Sequence, residues 1–395
     1  MASEAGSESA PGAAGSGRAC DRCLARTWLI GRLGGHIDLV RARIEEVLAL
    51  EDDELIAAVG GGEESRIRQE LGELDVDAAR ARSRGAGLET ICVCDPAYPP
   101  ALRALAAPPA VLHVAGGLER LLELAAQDPV ALVGSRRPSP YGTEMAGKLA
   151  SGLAFAGITV VSGMALGIDS AAHAGALDAG ERQAGAVEVR GGRAVRGRVL
   201  GAPTVAVLPG SAHRPYPAGK RTLHRRIVGA GAAVSELGPG TSVRRWMFLA
   251  RNRITAGLAA MTVVVEAGEH SGSLVTARVA AGLGRGVGAV PGRVTTPQAR
   301  GPHELLAGGA CLVRGPQDVL DHLFGAGARV AAPLGRPEPA LELRPLLNAI
   351  AEGHDTAAAL GRAGFSADRG LAALAALELE GFVRRGPGGH FEATP

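Results

Sequence analysis

From about residue 89 to residue 323 the chain repeats one pattern: a short apolar run, a glycine, then a stretch with helical spacing. The runs Ile91–Cys94, Val130–Val133, Thr159–Val161, Thr204–Leu208, Ala232–Val234, Thr262–Glu266, Gly288–Val290 and Cys311–Val313 predict strands. They are rich in Val, Ile and Ala and do not alternate, which is the pattern of strands covered on both faces, so an α/β domain with a mostly parallel sheet is predicted. Upstream, "LARTWLIGRLGGHIDLVRARIEEVLALEDDELIAAV" carries apolar residues at helical spacing, broken at Gly34-Gly35, and predicts a small bundle of short helices ending near residue 84. Downstream, a Pro-, Gly- and Ala-rich linker precedes three helical segments and two short strands around Gly386 to Gly389, the order of a winged helix. Residues 1–19 have no apolar period and predict a flexible tail. Residues 180–202 break the α/β rhythm and alternate like a hairpin, Ala186–Val189 against Ala194-Val195 around Gly191-Gly192, which predicts a surface insertion.

Composition narrows the class. A chain of 395 residues with 46% hydrophobic content can bury one large core and smaller domains. It has no run of about 18 apolar residues, and its start, MASEAGSESAPGAAGSG, is small and acidic, so no membrane span and no secretory signal are expected and the expected location is cytoplasmic. Net charge is only +2, yet Ser211 to Arg253 holds nine basic residues against Glu236 alone. The basic charge is therefore concentrated in one segment, a pattern that points to an anionic partner.

Candidate chemistry gathers where predicted strands end. In an open parallel sheet, ligands bind beyond the carboxyl ends of the strands, where glycine permits close approach and helix N-termini point their N–H groups outward. Five corners share this build: Gly134-Ser135-Arg136-Arg137, Ser162 to Gly167, Pro209-Gly210-Ser211, Glu266 to Ala277, and Pro291-Gly292-Arg293. All five are expected on one edge, forming an anion site for phosphate. Arg251 and Arg253 flank Asn252 in an apolar setting, so each guanidinium needs an acid or a bound anion, with Glu236 and Glu266 as available acids.

Other patterns are set aside. The dinucleotide fingerprint is missing after Gly134. Gly142 to Lys148 imitates a phosphate loop but continues with Leu149 and falls inside a predicted helix. Asp169 and His173 lie four apart on one helix face, and a helix cap plus a packed histidine explains them better than an acid–base pair. Ser135, Ser162 and Ser271 have no placeable histidine, so no nucleophile is assigned and no enzyme is expected. Cys20 and Cys23 form one C-x-x-C without a second pair at finger spacing, while Cys92 and Cys94 fall two apart on one face of a predicted strand. No metal and no cofactor are expected.

Eight ordered motifs then resemble one family, the DNA-processing protein A (DprA/Smf) family. They are Gly134-Ser135-Arg136 with Ser139 and Tyr141-Gly142, "VSGMALGIDSAAHAGAL", "TVAVLPG", Tyr216-Pro217, "SELGPG", Arg251-Asn252-Arg253-Ile254, "VVEAGEHSGSLVTA" and Ala289 to Gly292. With "DPAYPPALRALAAPPAVLHVAG" as a lead-in and "LAALELEGFVRR" near the end, the resemblance covers about 300 residues. It implies an extended Rossmann-like domain at 87–325 carrying the 180–202 insertion, a small helical (SAM-like) domain at 20–86, a linker at 326–340 and a winged helix at 341–392. It also implies a protein that binds single-stranded DNA during natural transformation, protects it and helps load a RecA-type recombinase, acting as a homodimer. Ser135 and Arg136 carry over as DNA contacts, joined by Gly134, Gly163, Gly167, Lys220, Arg251, Asn252 and Arg253. Ser271, Gly272, Ser273 and Thr276 carry over as pocket-forming residues. The chain departs from the family in the insertion and at His303, where asparagine is expected. Only 3% of residues are aromatic, so phosphate contact and not base stacking is expected to dominate. Two other classes fit the fold: a nucleotide-binding or nucleotide-sensing module, and an enzyme like a nucleoside-monophosphate phosphoribohydrolase, whose P-G-G-x-G-T-x-x-E signature is absent.

Overall fold

The computed structural model describes residues 19–185, 187–190, 193–196, 204–331, 339–379, 381–386 and 389–393. The tail expected over 1–19 lies outside these except for Ala19, as do Ala186 and Gly191-Gly192 of the insertion and residues 332–338 of the linker. Two compact units divide near residue 332.

The first unit opens with six helices: α1 (Asp21–Arg32), α2 (Gly34–Leu39), α3 (Ile44–Ala49), α4 (Asp52–Val59), α5 (Glu64–Gly72) and α6 (Val76–Gly85). Strand β1 (Glu89–Cys92), α7 (Pro100–Arg103), β2 (Val111–Ala115) and α8 (Leu118–Ala125) lead into the sheet. The alternating core follows as β3 (Val130–Val133), α9 (Pro140–Phe155), β4 (Val160–Ser162) and α10 (Ile168–Gly185). A separate hairpin, β5 (Val187–Arg190) with β6 (Arg193–Arg196), precedes β7 (Thr204–Val207), α11 (Arg221–Ala230), β8 (Ala232–Ser235) and α12 (Arg245–Leu258). Then come β9 (Met261–Val264), α13 (Gly272–Gly282), β10 (Gly286–Ala289), α14 (Arg300–Ala307), β11 (Cys311–Leu312) and α15 (Pro316–Phe324).

The sheet has nine strands in the order β1-β2-β8-β7-β4-β3-β9-β10-β11. From β8 to β11 every pairing is parallel, and at the other end β2 alone runs against the rest, pairing antiparallel with both β1 and β8. Strand β2 corrects the sequence reading, which took residues 95–116 as a lead-in. All five of its residues are buried, including His113 in mid-run, whose Nδ1 lies 3.4 Å from the hydroxyl of Ser83. A second correction concerns the insertion: α10 continues to Gly185, so residues 180–185 extend the helix and the departure begins after it.

Both faces of the sheet are covered, as continuous apolar runs require. Side chains alternate across a strand. Val130 and Leu132 therefore pack with Leu149 and Leu153 of α9 and Ala172 and Ala176 of α10, whereas Ala131 packs with Val161, Val205 and Ile254 on the opposite face. The N-terminal helices add to this unit through α12: Trp246 and Met247 share a core with Leu29, Leu33 and Ile37, and the Trp246 amide donates to the Asp38 carboxylate at 2.9 Å. In the second unit, α16 (Arg344–Ala351), α17 (Ala357–Arg362) and α18 (Ala367–Leu379) precede an antiparallel pair, β12 (Val383–Arg385) and β13 (Phe391–Ala393), around a core of Leu346, Ile350, Leu360, Leu377 and Phe391.

Trp246 is fully buried. Trp246→Ala is expected to cost about 3–5 kcal/mol, read as a lower urea midpoint, because α12 loses its anchor to α1 and α2. Burial lowers the pKa of His113 to about 4 and that of His173 to about 3, from 6.5. Below pH 6.5 the unfolded chain takes up protons that the folded chain refuses, so unfolding free energy falls as pH drops from 6.5 toward 4. Urea titrations of the protein and of His173→Asn across that range should show the variant with the shallower decline.

Candidate nucleic-acid interface

Because β3, β4, β7, β9 and β10 run parallel, the five corners that follow them leave the same edge of the sheet. The order reverses beside β3: the chain moves from β3 outward to β4 on one side and returns later to place β9 on the other. Such a switch point opens a crevice. A cleft of about 230 Å³ lies here, lined by Gly134, Arg136, Gly163, Asp169, Phe248, Arg251, Asn252, Ser271, Gly272, Ser273 and Thr276 among others.

Arg251 organises the cleft. Its guanidinium reaches across from α12 and donates to the carbonyl oxygens of Gly163 and Val207, at the ends of β4 and β7. Asp169 lies 3.7 Å away and is the carboxylate that faces it. Burial presses the Arg251 pKa below its usual value and the Asp169 pKa above, and the charge of each partner opposes that shift in the other. Asp169 also accepts the Ala165 amide at 3.2 Å; it is the second residue of α10 and that amide precedes the helix, so it ties down the loop before α10 and does not cap the helix as expected. Of the two acids the sequence offered, neither Glu236 nor Glu266 pairs with Arg251 among the described ion pairs; Glu236 pairs with Arg253 instead.

The glycines here are packed closely within the protein. A Cβ on Gly163 would stand 2.3 Å from the Arg251 guanidinium, and one on Gly134 would meet the Glu266 carbonyl at 2.8 Å. Gly167 has φ +78°, and its Cβ would press on the Ser135 carbonyl at 2.3 Å. They make room for close packing. Several amides assigned to a phosphate cradle are engaged within the protein: Ser135 N–H donates to Glu266 O at 2.6 Å, and Ser273 N–H to the Ser271 hydroxyl at 3.4 Å. Ser271 thereby caps α13, whose first residues, Gly272 and Ser273, face the cleft, while the Asn252 amide donates to Gly272 O at 3.2 Å.

Arg136 is exposed at the mouth of the cleft, with its guanidinium 5.2 Å from the centre of the Phe248 ring; that of Arg251 lies 5.9 Å from the same ring. Tyr216, 42% exposed, meets Phe248 edge-on at 5.2 Å. The sequence reading missed Phe248. Its signal was present, since it stands one helical turn before Arg251 and so shares that face of α12.

Other candidates fall elsewhere. Arg253 points away from Arg251 and is bound on both arms: its two terminal nitrogens donate to the Glu236 carboxylate at 2.9 and 2.6 Å, and its Nε donates to Ala107 O at 2.8 Å. It is a buried structural tie. Ser135, Gly167 and Lys220 do not line the cleft; Ser135 and Gly167 form the corner beneath Arg136, and Lys220 opens α11. In the basic segment, Arg226 is paired with Asp178 and Glu181, whereas Arg214, Lys220, Arg221 and Arg225 meet no carboxylate among the described residues. Glu266 is buried and receives both the amide and the hydroxyl of Ser139, at 2.8 and 2.5 Å, so it holds the start of α9. His173 Nδ1 lies 2.7 Å from the Thr204 hydroxyl inside the core, as a packed histidine should. His303 bonds to the Gly292 carbonyl at 3.0 Å.

This arrangement can be set beside known proteins. The Streptococcus pneumoniae DNA processing protein A structure superposes with a TM-score of 0.58 at 28% identity, covering 77% of this chain and 98% of that one. Protein Smf of Escherichia coli is 34% identical over 302 residues, 74% of each chain. A Mycobacterium tuberculosis relative that carries the DprA name is 41% identical over 227 residues, 58% of this chain, and the match spans only 52% of that relative's length. The family model described as DNA recombination-mediator protein A matches residues 89–324, from β1 to the end of α15. The chain belongs to the DNA recombination-mediator protein A family.

Proposed function

We propose that the carboxyl edge of the sheet binds single-stranded DNA through its phosphates, without breaking a bond. The observation that carries this reading is the charge balance of the cleft: Arg136 and Arg251 line it against Asp169 alone, and the buried Nε of Arg251 has no hydrogen-bond partner. A buried cation with an unmet donor favours an anion. Arg214, Lys220, Arg221 and Arg225 leave the same edge after β7 and extend the positive track, as a polymer requires and a single nucleotide does not. Phe248 and Tyr216 offer faces for bases, a small stacking element in a chain otherwise poor in aromatics. Family membership supports the wider role: protection of incoming DNA in natural transformation, loading of a RecA-type recombinase, and action as a homodimer. A phosphoribohydrolase-like enzyme would need a free carboxylate, and Glu266 is held by Ser139 outside the cleft lining.

Fluorescence anisotropy with labelled oligonucleotides of increasing length, against duplex and mononucleotide, tests the reading. Affinity should climb with strand length and fall steeply with salt; equal affinity for a mononucleotide and a long strand, or release of free base, would refute it. Arg136→Ala should reduce the magnitude of the log–log salt slope by about 0.7, one phosphate on a single strand, and leave the unfolding midpoint nearly unchanged. Arg253→Met should do the reverse, keeping the slope while losing about 3–5 kcal/mol of stability, because it leaves Glu236 buried without its partner.

A further inference from the structure

Four of the five cysteines meet far from the cleft. Cys20 immediately precedes α1 and Cys23 lies in its first turn, whereas Cys92 ends β1 and Cys94 sits in the turn that follows. Their four Sγ atoms all lie within 4.8 Å of one another, although 71 residues separate Cys23 from Cys94. The spacing argument against a metal fails for a physical reason. Cys94 is not on the strand with Cys92, because the chain turns after Cys92 and closes with the Asp95 amide donating to Cys92 O at 2.9 Å. The two thiols are thus presented as the arms of a short turn, which is how a C-x-C pair chelates.

We propose that Cys20, Cys23, Cys92 and Cys94 bind one zinc ion that joins the N-terminal helices to the first strand of the sheet. Zinc bound to thiolate at about 2.3 Å sets the edges of its tetrahedron near 3.8 Å. The Cys23 and Cys94 sulfurs stand 3.6 Å apart, close to that edge and far beyond the roughly 2.05 Å of a disulfide. A set this compact suits one ion, whereas an iron–sulfur cluster spreads its thiolates over several irons. The surroundings are also those of a thiolate site. The Cys20 amide donates toward Cys92 Sγ at 3.4 Å, and the N-terminus of α1 places its partial positive charge beside Cys20 and Cys23. Four protein ligands leave no open position, so the ion is structural and takes no part in catalysis. It closes a loop that contains all six N-terminal helices, and Ala19, Leu24 and Val111 pack around the thiols.

The test uses the full chain, purified in reducing buffer without chelator, with zinc and iron measured by plasma mass spectrometry and thiols counted by reagent. The expected result is about one zinc per chain, no iron, and four thiols that react only when zinc is released to an indicator dye. Cys94→Ser, at the exposed end of the cluster, should lose at least tenfold in zinc affinity, and Cys311→Ser should keep the full content. If Cys94→Ser does not fold, cobalt substitution of the unaltered protein reports instead, through the visible spectrum of a tetrahedral tetrathiolate. Reactive thiols that take up no zinc, a stable Cys23–Cys94 disulfide in reducing buffer, or iron in place of zinc would each overturn the proposal.

Discussion

The Arg251 guanidinium is the interaction on which the site depends. It sits where β4 and β7 end and takes up the Gly163 and Val207 carbonyls that the sheet ladder leaves there. Carbonyls at a strand end would otherwise need water or a neighbouring loop. A positive charge in that place fixes the spacing of two strand tips, sets the position of α12, and draws Asp169 and with it the start of α10. It also dictates the neighbouring sequence. Glycine at position 163 leaves the space that the guanidinium occupies, and a methyl group there would displace it.

Two residues along, Arg253 makes the complementary tie. Residues two apart on a helix face nearly opposite sides. Arg251 therefore holds α12 to the sheet edge while Arg253 holds it to Glu236 and Ala107. Trp246 at the start of the same helix enters the core of the N-terminal bundle. Three parts of the unit thus meet on one helix, which can present Phe248 toward Arg136 with little freedom to drift. The exposed cations are not so held, as mobile contacts to a phosphate backbone should not be.

Much of this could be read in the sequence, for reasons visible in particular residues. Val130–Val133 and Thr204–Val207 are apolar on both faces and could only be interior strands. Their order along the chain placed the glycine corners on one edge, and the motifs around Arg136 and Arg251 pointed to a single site. Strand β2 was missed because His113 interrupts its apolar run, and only the fold supplies the Ser83 hydroxyl near that ring. The close packing at glycines 134, 163 and 167 was not legible, since an approach between Gly163 and Arg251 88 residues away leaves no local mark. The cysteines illustrate the same limit. A pair at the start of a helix and a pair at the end of a strand carry no shared spacing rule, and their meeting is a property of tertiary structure alone.

The junction of the N-terminal helices with α12 has a consequence for how the chain is made. Trp246 binds Asp38 across 208 positions, and Leu29, Leu33 and Ile37 have part of their cover on a helix synthesised long after them, the rest coming from their own bundle. During translation these apolar faces emerge first and must wait, partly uncovered, while most of the unit is still unmade. Long-range closure of this kind is slow, so the nascent polypeptide passes through an interval in which chaperone capture and self-association compete with maturation.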